Sequence, residues 1–397
     1  GEFVDSAWDL LVELRDNQEN PFVTGAYQFW DSSYSSTPSS LPSSWEPFFD
    51  ESNIDDIDEE DLKSFMFCLE TGHALLSRLL LEKAVEDYEF FPSHMDIGLE
   101  KYFDELSGFD GTINVDGYPA LTTGFIEDMK EILIESLFED DIYVWWKEGY
   151  PDQLGTLHQN PRSRFESIAT EENGSETPMI AARERFSRAI ANILFSVRKF
   201  DFAGVEGDPL GNLYQRYFDR ETRKALGEFY TPQSVVEYIL DDVNYKPQGR
   251  SIHESKILDP ACGSGTFTVE AINRYLDDVE RFEDDPDWER HLRELCINPQ
   301  IVGLDVHPFA VLMAQIRFTV AILPKYREAK MANDDFTIHR LPIFRTDSLE
   351  NEREGADIAI DASGGANWTF SAVEDDDDLS IEVELPYEPE DSDEELS

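Results

Sequence analysis

The stretch Asp259-Pro260-Ala261-Cys262-Gly263-Ser264-Gly265-Thr266-Phe267 lies between a short apolar run, Ser255-Lys256-Ile257-Leu258-Asp259, and a helical pattern from Phe267 to Leu276. Its two glycines flank one small residue. That lets the backbone turn sharply from a strand end into a helix start and approach a ligand closely. The free N–H groups of the helix start then face a negative or polar ligand group. A dinucleotide-binding loop carries a third Gly or Ala three residues after the second glycine, and here Thr268 stands at that place. No Lys-Ser/Thr pair follows at the spacing of a P-loop. What remains is the adenosyl-binding form of the turn, in which an acidic residue ending the next strand takes the ribose hydroxyls. Gln300-Ile301-Val302-Gly303-Leu304-Asp305 supplies that strand, and Asp305 is the acid. It follows the loop by about 40 residues, against about 20 in a minimal dinucleotide unit, because the acidic segment Asp277 to Asn298 is inserted.

Outward from the loop, a helix starts at Pro308, with proline at a first-turn position where its missing N–H costs nothing. Leu341-Pro342-Ile343-Phe344-Arg345 reads as a third strand. Strand, helix, strand, helix, strand is the order of an α/β protein with a doubly wound parallel sheet. Toward the N-terminus the pattern changes. Residues 1–30 open on a short helical pattern (Trp8, Leu10, Leu11, Leu14), and a Ser-rich loop, 31–44, follows whose composition cannot pack a core. Glu59 to Phe91 has helical spacing and stops at Pro92; Ile126 to Trp146 reads as one helix stopped by Gly149 and Pro151; Ile180 to Phe200 reads as a third. The expected organisation is a mainly helical domain over 1–209, a ligand-binding domain over 210–350, and an acidic insertion or tail over 351–397 that carries Glu374-Asp375-Asp376-Asp377-Asp378.

The 397 residues hold 85 Asp and Glu against 32 Lys and Arg, a formal charge of −53. This excludes a globally basic nucleic-acid binder, while 41% hydrophobic residues provide a sizeable core. The acids are spread along the whole chain, which fits a salt-loaded, halophilic cytoplasm. At about 1 M salt the Debye length is about 3 Å, so repulsion beyond neighbouring side chains is screened. Cys68, Cys262 and Cys296 form no C-x-x-C pair, which fits a reducing compartment. No secretory signal opens the chain, and the apolar stretch Ala310 to Leu323 is broken by Gln315 and Arg317 and too short for a bilayer. The expectation is a cytoplasmic protein without membrane contact, and the initial Gly reads as the start of a piece of a longer product. The seven histidines show no i, i+4 pair, so no metal site is expected.

With the loop, its upstream element and its downstream acid in view, the sequence resembles the S-adenosylmethionine-dependent DNA methyltransferases that act on the exocyclic amine of adenine. The similarity is to the gamma-ordered group of type I, type IIG and BREX-like phage-defence systems, and it covers roughly Leu210 to Leu349. Ala225-Leu226-Gly227-Glu228-Phe229-Tyr230-Thr231-Pro232 is similar to the element that lies over the cofactor and binds its methionine carboxylate. The loop matches the methionine-binding motif, Gly303 to Val311 the ribose-binding motif, and Arg345-Thr346-Asp347-Ser348-Leu349 the motif whose Asp contacts the cofactor's adenine. The resemblance implies a Rossmann-like S-adenosylmethionine-binding parallel sheet, incomplete within these residues, after a mainly α-helical domain. It implies cofactor contacts at Phe229, Tyr230, Thr231, Pro232, Asp259, Ala261, Gly263, Ser264, Gly265, Thr266, Asp305, Val306, Asp347 and Ser348.

The family's catalytic Asn/Asp-Pro-Pro-Tyr/Phe run is expected after Asp347. Asn20-Pro21-Phe22, Asn160-Pro161-Arg162 and Asn298-Pro299-Gln300 are the nearest approaches, and none has a second proline. That run matters because the adenine amine is a poor nucleophile: its hydrogens need acceptors and the flipped base needs an aromatic platform. No catalytic residue is therefore assigned. The chain is expected to bind cofactor, to be inactive alone, and to meet double-stranded DNA in an enzyme completed by a polypeptide carrying the catalytic motif and the target-recognition domain. A cofactor-sensing scaffold and a protein or RNA methyltransferase stay open as alternatives. Arg183, Arg185, Arg188, Arg198, Lys199, Arg216, Arg220, Arg223 and Lys224 form the one segment where bases outnumber acids, a candidate for phosphate contact; ion pairing with Glu184, Asp219 and Glu221 is the competing reading.

Overall fold

The computed structural model describes residues 2–34, 45–46, 57–88, 98–108, 117–134, 137, 142–150, 177–202, 231–246, 252, 255–297 and 299–346, and the strand backbones 356–360, 366–372 and 379–384. The described residues are mostly helical and carry one small parallel sheet. The N-terminal part holds α1 (Glu2–Val12), a π-helical turn (Glu13–Asn17), α2 (Pro21–Tyr34), α3 (Glu59–Asp87), α4 (Leu99–Gly108), α5 (Gly117–Ile132), a 3-10 segment (Ile142–Gly149) and α6 (Pro178–Val197).

Helix α3 organises this half. Asp58 caps it: its side chain accepts from the Asp61 N–H at 3.0 Å, and the Asp61 carboxylate takes the Asp58 N–H at 3.2 Å. The acidic first turn suits the positive end of the helix dipole. Its middle is buried on every side, polar residues included. Glu70 is fully buried and accepts from Trp30 Nε1 at 2.9 Å and Tyr143 Oη at 2.8 Å, and Thr71 accepts from Trp145 Nε1 at 2.8 Å. A buried hydrogen bond contributes about 0.5–1.5 kcal/mol net, so these links together fix α2 and the 3-10 segment on α3.

Two expectations change here. The chain from Ile126 to Trp146 is not one helix. α5 begins at Gly117 and ends at Ile132, the Leu137 carbonyl is taken by the buried Arg78 guanidinium at 3.0 Å, and the chain resumes as the 3-10 segment. An unbroken helix of that length would carry its end about 30 Å away, whereas Tyr143 and Trp145 must return to α3. The Ser-rich loop also begins later than residue 31. α2 runs to Tyr34, because Asp31 is tied to Lys63 at 2.9 Å and Trp30 to Glu70; residues 35–44 lie outside the described ones.

The second half contains α7 (Gln233–Asp242), β1 (Ile257–Asp259), α8 (Thr266–Phe282), α9 (Trp288–Cys296), β2 (Ile301–Asp305), α10 (Pro308–Ala332) and β3 (Ile343–Arg345). The inserted acidic segment thus forms the end of α8 and all of α9. The sheet is parallel in the order β1-β2-β3, with Asp259 opposite Gly303 and Asp305 opposite Arg345. Both crossovers run the same way, and α8 and α10 pack together. Among the described residues the strand order does not reverse, so the doubly wound form is not reached. Helix α10 is 25 residues long, longer than its apolar pattern implied and long enough to cross a membrane; 72% of its most apolar window is buried inside the protein. One contiguous hydrophobic core joins both halves, with α3 against α10 through Ser77 Oγ and Met313 Sδ at 3.3 Å. In the acidic stretch the backbone forms an antiparallel sheet of β4 (Ala356–Ile360), β5 (Ala366–Ala372) and β6 (Leu379–Glu384). The alternation Leu379-Ser380-Ile381-Glu382-Val383-Glu384 is its period-2 signal.

Candidate functional site

The carboxyl ends of β1 and β2 meet at the glycine loop. Gly263 adopts φ +54° and Gly265 φ +85°, conformations that L side chains rarely take. The loop is bound to the second strand twice: Cys262 N–H donates to the Leu304 carbonyl at 2.8 Å, and Gly263 N–H donates to Asp305 Oδ2 at 2.9 Å. A tight turn is closed by Gly265 N–H on the Cys262 carbonyl at 2.9 Å. Helix α8 then starts with Gly265 as its cap and no side-chain cap bond, leaving its first N–H groups at the loop.

The glycines have different reasons. A Cβ on Gly263 meets nothing within 4 Å, so open space lies over it. A Cβ on Gly265 would come within 3.0 Å of Ala314 Cβ, so its bareness lets α8 approach α10. One on Gly303 would strike Ile343 Cδ1 at 2.8 Å and Cys262 Sγ at 3.1 Å. Cys262 is thus a small buried filler between loop and sheet. Burial, helped by Asp259 and Asp305, raises its thiol pKa far above the ordinary value, so it stays protonated.

Asp305 is shared. Its Oδ1 accepts from His307 N–H at 2.9 Å and its Oδ2 from Gly263 N–H at 2.9 Å, while its carbonyl accepts from Thr346 N–H at 2.9 Å. These bonds fix the carboxylate at the strand end and leave its remaining lone pairs for a ligand. Asp259 differs. Its Oδ1 accepts from Ala261 N–H at 3.3 Å, and its buried Oδ2 has no hydrogen-bond partner among the described residues. Burial raises its carboxyl above the usual range against the Ala261 bond, and nearby Asp305 pushes it further. A cationic ligand group would satisfy it. Val306 is 53% exposed beside Asp305, an apolar surface suited to a ring. His307, capping α10, is pushed down to about 4 by burial, against the pull of Asp305, and is neutral near pH 7.

Of the other expected positions, Thr231 and Pro232 immediately precede α7, with Pro232 as its cap residue. Gln233 Nε2 reaches Glu270 Oε2 at 2.7 Å, in the second turn of α8, which brings that end of α7 to the loop's helix. Arg274 fastens the rest, donating to Asp241 Oδ1 and the Tyr245 carbonyl, each at 2.8 Å. Ala261 and Ser264 lie in the loop itself, and Thr266 is the first residue of α8. Phe229, Tyr230, Asp347 and Ser348 lie outside the described residues. Sequence reasoning missed Arg317. It is 4% exposed and its Nη1 donates to the Ser264 carbonyl and, at 3.2 Å, to Ser264 Oγ. Its signal was a cation interrupting an otherwise apolar run. In the basic stretch, Arg185 pairs with Asp9 at 2.9 Å and Arg188 with Glu184 at 3.7 Å, exposed ion pairs of small energy.

The Asp259 oxygen, the Asp305 carboxylate and the exposed Val306 side chain could hold a cationic group, hydroxyl donors and an apolar face respectively. The family described as N-6 DNA Methylase matches residues 205–352. The adenine-specific methyltransferase PglX of Streptomyces coelicolor is 35% identical over 117 residues, 29% of this chain and 9% of that protein. The type I restriction enzyme MjaVII methylase subunit of Methanocaldococcus jannaschii is 37% identical over 83 residues, 20% of this chain and 13% of that subunit. The chain therefore spans a small part of these curated relatives. Among solved structures, the type IIL restriction-modification enzyme MmeI in complex with DNA aligns with TM-score 0.38 and 15% identity, covering 71% of this chain and 37% of that one. By its N-6 DNA methylase segment and these relatives, the chain resembles the adenine-specific DNA methyltransferases of restriction-modification systems.

Proposed function

We propose that residues 210–350 form a Rossmann-like S-adenosylmethionine site, within an enzyme that methylates adenine N6 in double-stranded DNA as part of a restriction-modification or phage-defence system. The observation that carries this is the shared carboxylate: Asp305 accepts the Gly263 N–H at 2.9 Å directly beside open space, with the unpartnered Asp259 oxygen at the same strand ends. In this reading Gly263, Ser264 and Thr266 admit the methionine portion, and Asp259 offers its oxygen to the cationic group. Asp305 holds the ribose diol and Val306 lies against the adenine. Asp347 and Ser348 face its amine, and Phe229, Tyr230, Thr231 and Pro232 close over the cofactor. S-Adenosylmethionine supplies an electrophilic methyl group when bound.

Transfer to adenine also requires acceptors for the amine hydrogens. The family takes them from Asn-Pro-Pro-Tyr/Phe, a run that residues 1–397 do not contain. We therefore assign cofactor binding to these residues and amine positioning to a segment or polypeptide bearing that motif and a target-recognition domain, working in the cytoplasm. The test is to incubate the completed enzyme with plasmid, RNA and methyl-labelled cofactor. Label is expected in N6-methyladenine of the plasmid, and none from the 397-residue chain alone. Label in RNA or in protein would overturn the DNA assignment.

A further inference from the structure

We infer that Arg317 is a positioning residue for the proposed cofactor: its guanidinium holds the apex of the glycine loop from behind, so the opposite side stays shaped for the ligand. The inference rests on the S-adenosylmethionine reading above.

Ser264 sits between two residues with φ of +54° and +85°. Glycines leave many conformations open, so the peptide they flank is not set by local preference. Two backbone anchors hold the turn, Gly263 N–H on Asp305 and Gly265 N–H on the Cys262 carbonyl. Neither bonds the Ser264 carbonyl oxygen itself. Arg317 does, from 53 residues away in sequence, by donating to that carbonyl and to the hydroxyl of the same residue. Because a trans peptide points its C=O and N–H in opposite directions, drawing the Ser264 oxygen toward Arg317 also sets the Gly265 N–H that closes the turn. It removes a carbonyl oxygen from the ligand's side. Arg317 is buried between Ile316 and Phe318 on a helix whose other core positions are apolar apart from Thr319. An apolar side chain would pack there without desolvating a charge. Its fork of donors is what a methionine or leucine would lack.

The experiment uses the full chain in high salt. The affinity of wild type, Arg317→Met and Arg317→Lys for S-adenosylmethionine is measured by calorimetry, alongside thermal unfolding and amide hydrogen exchange. The Met variant is expected to unfold cooperatively near the wild-type midpoint, to bind about tenfold more weakly, and to exchange faster at Ser264 to Thr266 while the rest of α8 is unchanged. Lysine, which keeps the charge without the fork, is expected to fall between the two. If the Met variant does not fold, the Lys variant decides. Wild-type affinity and wild-type exchange in a cooperatively folded variant overturn the inference. So does a loss of affinity that vanishes on cooling, which marks a stability effect alone. A folded wild type that binds no cofactor instead removes the reading on which the inference rests, with the exchange arm still reporting whether Arg317 holds the turn.

Discussion

At the scale of single residues, Gly263 and Gly265 separate two uses of the same amino acid. Gly263→Ala puts a methyl into open space where the ligand is proposed to lie. It should cost about 1 kcal/mol of stability for the positive φ, yet lower S-adenosylmethionine affinity about tenfold or more. Gly265→Ala meets Ala314 at 3.0 Å, backbone close behind. It should lower the melting temperature more than Gly263→Ala, because overpacking adds about 1–3 kcal/mol to the φ penalty. Thermal unfolding and calorimetric titration of both variants check this ordering. Asp259 gives a second contrast. The folded chain holds that proton more tightly than the unfolded chain does, because burial raises the carboxyl. Its destabilising effect is therefore absent below the ordinary Asp range and grows as pH rises through the interval above it. Asp259→Asn should raise the melting temperature at pH 7 by about 2–4 °C and flatten its pH dependence, while weakening cofactor binding. A parallel rise in stability and affinity would argue against a cationic ligand group there. The glycines and Asp305 were picked out by spacing and Asp259 by the family resemblance, and the structure places all four at the same strand ends. The division of labour between the glycines was not legible in the sequence, since it depends on Ala314, which lies 49 positions beyond Gly265 in the chain.

At the scale of elements, α10 carries the site's rear wall: His307 caps it, Ala314 faces Gly265, and Arg317 holds Ser264. His307 is depressed to about 4 by burial, so the unfolded chain binds its proton first. Its neutral form favours folding above about pH 6.5, and that contribution is lost as pH falls from there toward about 4. His307→Gln should make stability fall less steeply across that interval, measured by denaturant unfolding at a series of pH values. An unchanged slope would contradict the buried neutral assignment. Elements with strong local signals were readable: Ile257–Asp259, Ile301–Asp305 and Ile343–Arg345 fall inside the strands expected. Where tertiary contacts override local pattern, the reading failed. Asp31 to Tyr34 looked like loop by composition and is helix because Lys63 and Glu70 anchor its neighbours. The chain from Ile126 to Trp146 looked continuous by periodicity and is broken where Arg78 captures the Leu137 carbonyl. In β4 to β6 a period-2 alternation, most evident from Leu379 to Glu384, lies within the acidic stretch.

At the scale of the whole molecule, a formal charge of −53 sets the conditions under which the fold holds. Among the described residues several bases sit in ion pairs: Arg274 with Glu270 and Asp241, Arg290 with Glu283 and Glu294, and Arg293 with Glu289. Those pairs are worth little individually, so the remaining acids repel one another unless salt screens them. The melting temperature should rise by about 10 °C or more between about 0.1 M and about 3 M KCl, over which the Debye length falls from about 10 Å to below 3 Å. A flat or falling curve would rule out adaptation to a salt-loaded cytoplasm. The same shared core that joins α3 to α10 means that screening of either half stabilises both. The central claim is that the turn at Gly263 to Thr266 receives S-adenosylmethionine, and the most direct measurement is calorimetric titration of the folded chain in multimolar KCl. The account predicts one molecule bound per chain, displaced by the demethylated cofactor and unaffected by NAD or ATP; no heat from folded protein, or equal displacement by NAD, would contradict it.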